Sequence, residues 1–239
     1  MIYTCYYAAG QEKLVHPSEV YEGFGLEPDI NKDILTNCPE LKDPSVRLQL
    51  VEYACFLWHW RNQKSIKETW IGTTSYRQSD KTSVYFESSK DIKEITDSSK
   101  IATWGLTEMY ARNGKPMSLD KQAEICHPGI SEFIEDIFEN FSEEVPSKWY
   151  TETSGVFASY WAMNTKDFVE YMVYSWPKIR YALSLSKSHP YTLRKNKWGT
   201  VTDEKAVGYF MERLFILWYL KSGKEVKNIG NIMKVYHNV

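Results

Sequence analysis

The stretch Val51–Asp80, VEYACFLWHWRNQKSIKETWIGTTSYRQSD, decides the fold reading. Its first part continues a helical apolar pattern. Leu48, Val51, Ala54, Cys55 and Trp58 share one face, which predicts a helix opened by Pro44-Ser45 and running to about Asn62. The segment Thr69–Ser75, TWIGTTS, is rich in β-formers and predicts a strand. That strand runs into Ser75-Tyr76-Arg77, a polar loop bearing a planar cation. In α/β sheets, ligands bind beyond the carboxyl ends of such strands. Arg77 suits bidentate contact with a phosphate, flanked by the Ser75 hydroxyl and the Tyr76 ring. The competing reading is a surface arginine on a turn with a tyrosine packed below.

Upstream, Ile2–Tyr7 predicts a first strand, and residues 11–44 are loop-rich, with Pro17, Pro28, Pro39, Pro44, Gly23 and Gly25. Downstream, Ser83–Glu87 and Lys100–Trp104 are strand candidates and Asp91–Ile95 a short helix. Ser118 caps a helix through Ala123. Ile130–Phe141 is amphipathic, with Phe133, Ile134, Ile137 and Phe138 on its apolar face. Gly155–Asn164 reads as one buried strand. Thr165 is placed as the N-cap of a helix to about Tyr174, with Asp167 in its first turn. Pro177 predicts a break or kink, with helix resuming to Ser186. Residues 187–202 read as a polar, basic loop. Thr202 or Asp203 caps a last helix to about Leu220, and the tail from Ser222 reads as basic and less ordered. Strands alternating with helices predict an α/β chain with a mixed, mostly parallel, Rossmann-like sheet flanked by helices. Residues 1–239 read as a single domain.

With 239 residues and 43% hydrophobic content, the chain can bury a sizeable core. Its formal net charge of −2 argues against a nucleic-acid binder, which would carry a basic excess. Nine Trp and seventeen Tyr either fill the core and the rim of a cleft or, at some positions, stack on sugar or base rings. Cys5, Cys38, Cys55 and Cys126 form no CxxC pair, so a zinc site is not expected and the thiols read as reduced and mostly buried. MIYTCYYAAG is not a signal peptide, and no stretch reaches the ~18 apolar residues of a transmembrane span. A cytoplasmic protein is expected.

Several catalytic motifs are missing. There is no GxSxG elbow, no GxGxxG after the first strand and no P-loop. Nor is there a D-x-D, the usual holder of a divalent metal on a nucleotide diphosphate. Cys126-His127 does not make a thiol protease, because such a pair must meet in space with an orienting group. Glu52, amid Leu50, Val51, Tyr53 and Phe56, is either a half-buried paired carboxylate or a solvent-facing residue beside the apolar stripe. Glu212-Arg213 opens the run LFILWYL: either Glu212 points into a cleft with Arg213 as its partner, or both mark the polar edge of an amphipathic helix. Arg194, Lys195 and Lys197 either meet an anion or belong to a solvated loop.

The same segments resemble a family of bacterial and viral polysaccharide-biosynthesis proteins, the capsular, exopolysaccharide or lipopolysaccharide glycosyltransferases with a GT-A-like fold. The family's aromatic helix is matched by Glu52-Tyr53-Ala54-Cys55-Phe56-Leu57-Trp58-His59-Trp60-Arg61-Asn62. Its following strand is matched by Ile71-Gly72-Thr73-Thr74-Ser75-Tyr76-Arg77-Gln78. A lone histidine corresponds to His127, a later strand and helix to Ala158–Met163 with Phe168 and Tyr171, and an E-R-L helix to Glu212-Arg213-Leu214 with Trp218. The matches are in order and span most of the chain. Ser75 stands where the family has His, and Gln78 where it has a second Arg.

The resemblance implies a transferase that takes a nucleotide sugar and a glycan or lipid-linked acceptor. Thr4 and Tyr6 would face the nucleotide base. Ser75, Tyr76 and Arg77 would lie near the pyrophosphate. His127 and Glu212 would line the sugar or acceptor pocket as the catalytic pair, with Glu52, Trp58 and Arg213 beside them. Arg77 would supply the charge a metal supplies elsewhere, so no metal site is expected and dependence on Mg or Mn should be weak or nil. The alternative is a non-catalytic carbohydrate- or nucleotide-binding module that kept the fold.

Overall fold

The computed structural model describes residues 1–66, 68–82, 84–157, 159–193 and 205–237. The strands are β1 (Ile2–Tyr6), β2 (Tyr21–Gly25), β3 (Trp70–Ser75), β4 (Ile101–Thr103), β5 (Leu106–Ala111), β6 (Ser154–Val156), β7 (Trp161–Asn164), β8 (Val226–Asn228) and β9 (Met233–His237). The helices are α1 (Pro44–Leu50), α2 (Tyr53–Arg61), α3 (Gln78–Lys81), α4 (Lys90–Asp97), α5 (Leu119–Cys126), α6 (Ile130–Asn140), α7 (Thr165–Leu185), α8 (Pro190–Leu193) and α9 (Ala206–Ser222). A six-stranded sheet has the order β2-β1-β3-β7-β4-β8, and β6-β5-β9 form a second, smaller sheet. In the large sheet only β7 runs against its neighbours. The expected mixed, mostly parallel α/β arrangement is what the chain adopts.

Strand β3 is buried at every position, as expected of a central strand covered on both faces. Gly72 is required there: a Cβ would lie 2.8 Å from the Ala162 Cβ and 3.0 Å from the Trp161 carbonyl oxygen of β7. The main core joins one sheet face to α1, α2, α6, α7 and α9, through residues such as Phe56, Phe133, Trp161, Phe168 and Phe215. A smaller core on the other face gathers Ile2, Trp70, Phe86, Ile92, Trp104 and Tyr160. Cys5, Cys38 and Cys55 are buried free thiols, and Cys126 is half-buried.

Several sequence expectations need correction. The helix expected from Pro44 to Asn62 is two helices, because Val51 takes φ 45° and ψ −132° and breaks the ladder. The single strand expected over Gly155–Asn164 is split. β6 joins the small sheet and β7 the large one, with Ser159 between them at φ 56°. Residues 84–87 form no strand; Phe86 packs edge-on against Trp104 instead. Residues 21–25, inside the region read as loop-rich, form the edge strand β2.

Asn164, not Thr165, caps α7, its side chain accepting from the Asp167 amide at 2.8 Å. Pro177 does not end α7. The proline and Val173, whose carbonyl loses its partner, both face solvent, where water can take the hydrogen bond. The tail expected to be less ordered forms β8 and β9, paired in parallel with β4 and β5. Two of its lysines are paired, Lys224 with Asp167 and Lys234 with Glu108 at 3.9 Å. The basic segment 194–197 and the expected caps Thr202 and Asp203 lie outside the described residues.

Candidate active site

The break between α1 and α2 shapes the site. A β-branched residue at positive φ is sterically costly, of order 1–3 kcal/mol, and persists only where packing dictates it. Here the packing comes from α9. Gly208 faces the elbow, and a Cβ on it would lie 3.2 Å from Val51 Cγ2 and 3.3 Å from the Gln49 carbonyl oxygen. The elbow places Glu52 at the start of α2 in the lining of a pocket that Glu212 of α9 also lines. Trp161 and Phe215, stacked at 4.9 Å, belong to the lining, with Tyr171, Phe56, Tyr209 and Lys205. Ser159, another non-glycine residue at positive φ, lines it as well.

This pocket lies at the carboxyl edge of the parallel strands. Tyr160, next to Ser159, bonds its hydroxyl to that of Ser75, the last residue of β3, at 3.0 Å. Burial first, with the nearby Glu52 carboxylate adding to it, pushes the Tyr160 phenol up to about 12, against the opposing hydrogen bond from Ser75. Burial and then Glu52 likewise raise Tyr7, just beyond β1. Both phenols therefore stay protonated and can donate hydrogen bonds at neutral pH.

Glu212 is held by Arg213, whose Nη1 donates to Glu212 Oε2 at 3.1 Å. Arg213 is buried behind the pocket wall, donating to Gln122 at 3.2 Å, with its guanidinium 4.6 Å from the Phe157 ring centroid. It anchors Glu212 and is not part of the lining. His127 is also one layer back, stacked at 3.9 Å on Tyr209, which does line the pocket.

The Ser75-Tyr76-Arg77 loop contributes no residue to this lining; its link to the pocket is the Ser75–Tyr160 hydrogen bond, next to Ser159. The Tyr76 amide donates to the Cys5 carbonyl, and its ring meets Tyr7 edge-on at 6.2 Å. Arg77 is more than half exposed and gives its Nε to Asp80 at 3.1 Å. Asp80 raises its pKa, first by that hydrogen bond and then by its charge. Gln78 is buried: it accepts from Thr74, and donates to the Val84 carbonyl at 2.6 Å and to the Tyr21 hydroxyl at 3.4 Å. It braces the loop from beneath.

The remaining expected site residues are elsewhere. Thr4 is buried within β1, its hydroxyl without a partner among the described residues. Tyr6 and Trp58 share a different groove, of about 400 Å³, along the open edge of β2 with Glu22, Phe24 and Asp33. The Trp58 indole N–H donates to the Asp33 carbonyl at 2.6 Å. Glu52 and Glu212 thus converge, with Arg213 and His127 behind them, while Tyr6 and Trp58 lie apart. Tyr160, Ser159, Tyr7 and Gly208 were not singled out from sequence. Tyr160 and Ser159 fall in Ala158–Met163, a stretch that entered the resemblance without a site role. No cluster of three or more His, Cys, Asp or Glu side chains suited to a metal ion occurs among the described residues. No helix among them is long and apolar enough to cross a membrane.

No protein-family model matches the chain, and no curated protein matches it. Among solved structures, the chain is similar to the apo structure of the WbbM bifunctional glycosyltransferase, with a TM-score of 0.58 and 12% identity. The likeness covers 99% of this chain and 45% of that one, so the chain spans less than half the length of its structural neighbour. At that identity the likeness establishes the fold, a GT-A-like α/β architecture, over essentially the whole chain.

Proposed function

We propose that the chain is a glycosyltransferase that moves a sugar from a nucleotide-sugar donor to a glycan or lipid-linked acceptor in polysaccharide biosynthesis. The observation that carries this reading is the convergence of Glu52 and Glu212, far apart in sequence, on one aromatic-lined pocket at the carboxyl edge of a GT-A-like sheet. In the transfer, the bond from the anomeric carbon to the diphosphate breaks and a bond to the acceptor oxygen forms. The acceptor hydroxyl loses its proton and the departing diphosphate gains negative charge. Glu212, anchored by Arg213, is the carboxylate for the proton or for the developing oxocarbenium charge. Arg77, exposed on the loop that follows β3, is the cation for the diphosphate, with Ser75 and Tyr76 holding the loop. His127 supports the wall through Tyr209. The strand end at Thr4 and Tyr6 is the side assigned to the base. With no D-x-D in the chain, dependence on a divalent metal should be weak or absent.

A second reading, a non-catalytic binding module, is favoured by the loop itself. Ser75 and Gln78 are committed to Tyr160 and to a buried network instead of pointing outward. Turnover separates the two. A panel of nucleotide sugars is screened for nucleoside diphosphate release, with and without EDTA, for the parent and for Arg77→Ala and Glu212→Ala. Release from one donor that survives EDTA and is lost in both variants is expected. Binding of a donor without release in any condition would favour the binding module.

A further inference from the structure

Ser99, Ser142 and Ser159 all take positive φ. Ser99 and Ser142 are exposed and stand just past α4 and α6, where a left-handed residue commonly ends a helix. Ser159 follows no helix. It turns the chain between β6 and β7 at φ 56°, and it lines the pocket that Glu52 and Glu212 share. Its neighbours impose the turn. The Tyr160 carbonyl accepts from Thr103 Oγ1 at 2.7 Å and from the Trp104 amide at 3.2 Å. The Tyr160 hydroxyl bonds that of Ser75 at 3.0 Å. Gly105 packs on the same turn: a Cβ there would lie 3.0 Å from the Tyr160 Cβ and 3.1 Å from the Phe157 carbonyl oxygen. These contacts account for the backbone of residue 159, which glycine would adopt at less cost. They do not account for its side chain. The hydroxyls of Ser98, Ser184 and Ser186 donate to carbonyls three residues back. The Ser159 hydroxyl has no hydrogen-bond partner among the described residues. Around it, Phe56, Trp161, Tyr171 and Phe215 line the pocket with rings, so a hydroxyl there is a directional polar group on an aromatic wall. The pocket encloses about 110 Å³. At about 10–15 Å³ of such space per water it holds roughly seven to eleven waters, the complement that one sugar ring displaces.

We propose that Ser159 is a substrate-binding residue: its hydroxyl hydrogen-bonds one ring hydroxyl of the sugar held in this pocket. This rests on the reading of the pocket as the sugar site. A serine hydroxyl both donates and accepts, so it pairs with a sugar hydroxyl in either sense. The contacted hydroxyl takes no part in bond breaking, and the bond is present before and during transfer. Its loss therefore raises KM and leaves kcat near the parent value.

Two substitutions separate the hydroxyl from the turn. Ser159→Ala keeps the left-handed backbone under the same strain and removes the hydroxyl. Ser159→Gly removes both, and should melt at or above the alanine variant. UDP-glucose, UDP-galactose, UDP-N-acetylglucosamine and GDP-mannose are screened for nucleoside diphosphate release, and the donor used is then compared with its monodeoxy analogues. Both variants should raise KM for that donor by about threefold to tenfold, the worth of one neutral hydrogen bond. With the one analogue that lacks the contacted hydroxyl, the parent and Ser159→Ala should show the same KM. A parent KM in both variants would overturn the assignment while leaving glycosyl transfer intact. So would an alanine penalty that persists with every monodeoxy analogue, since a structural defect does not depend on one sugar hydroxyl. If the parent releases nucleoside diphosphate from no donor, the transfer reading fails, and the assignment with it.

Discussion

Gly208→Ala tests the elbow that positions Glu52. The added methyl would sit 3.2 Å from Val51 Cγ2 and 3.3 Å from the Gln49 carbonyl oxygen. The second contact is backbone and cannot rotate away, and the Val51 side chain is fixed by the strained backbone that carries it. The elbow must therefore move a few tenths of an ångström away from α9. Overpacking of this kind costs about 1–3 kcal/mol. Alanine in place of glycine in a helix returns up to about 1 kcal/mol. The net expectation is a loss of about 0–2 kcal/mol, or up to about 8 °C in melting temperature for a chain of this size. Gly208→Val adds two more methyl groups and forfeits the propensity gain, so it should lose about 3 kcal/mol or more. Because Gly208 also lines the pocket, even the alanine variant should lose donor hydrolysis by about tenfold, through displacement of Glu52. Chemical denaturation of both variants, alongside donor hydrolysis, reads the two effects separately. A Gly208→Ala protein stabilised by the full ~1 kcal/mol, with parent activity, would refute the tight contact and the role given to the elbow.

Other outcomes follow from buried charges. Glu143 holds Lys178 at 2.7 Å and Lys221 at 2.6 Å, and the Lys178 side chain is only 3% exposed. Burial alone would raise the Glu143 pKa, but the hydrogen bonds from both lysines outweigh it and the pKa falls. Its stabilisation is thus present above the unfolded carboxylate pKa and is lost as pH falls through the folded value. Glu143→Gln should cost about 2–3 kcal/mol at neutral pH in thermal or denaturant unfolding, since it strands a buried ammonium. The Lys178 pKa is lowered, first by burial and against the pull of Glu143, so Lys178→Met should be neutral or stabilising while Lys221 still pairs Glu143. His59 lies buried between Tyr3 and Ser65, and burial, with the N-terminal charge second, brings its pKa down to about 3. For a base with a depressed folded pKa, the unfolded chain binds the extra proton. Stability should therefore fall as pH drops from about 6.5 toward 3, by at most about 4–5 kcal/mol. His59→Gln should flatten that limb of a stability–pH series, and an unchanged slope would contradict the burial of a neutral imidazole.

What was legible in the sequence tracks how local the determining forces are. Thr69–Ser75 announced itself because a central strand buried on both faces needs a continuous run of β-formers. α6 was readable because its apolar face repeats at helical period. The α1–α2 break was not, since Val51 is driven to positive φ by packing against Gly208, more than 150 residues away in sequence. The same holds for β8 and β9, whose short segments become strands only by pairing with β4 and β5. Phe157–Tyr160 read as continuous strand because its residues suit one, and the turn at Ser159 appears only once two sheets compete for the flanks. In the site, Glu52 and Glu212 were marked as carboxylates embedded in apolar runs, and they do share a pocket. Arg213 and His127 were marked too, but they lie behind the wall, and sequence cannot separate a lining side chain from one packed behind it. Trp58 shared the same helix and pattern yet lines the β2 groove, because it lies about 1.7 helical turns past Glu52.

The most direct test of the account is a crystal structure of the protein with the nucleotide-sugar donor that the release screen selects, or with a non-hydrolysable phosphonate analogue of that donor. The account predicts the sugar ring between Glu52 and Glu212, with the diphosphate against Arg77. A donor seated instead in the groove between Tyr6 and Trp58, with the Glu52–Glu212 pocket left to solvent, would contradict it.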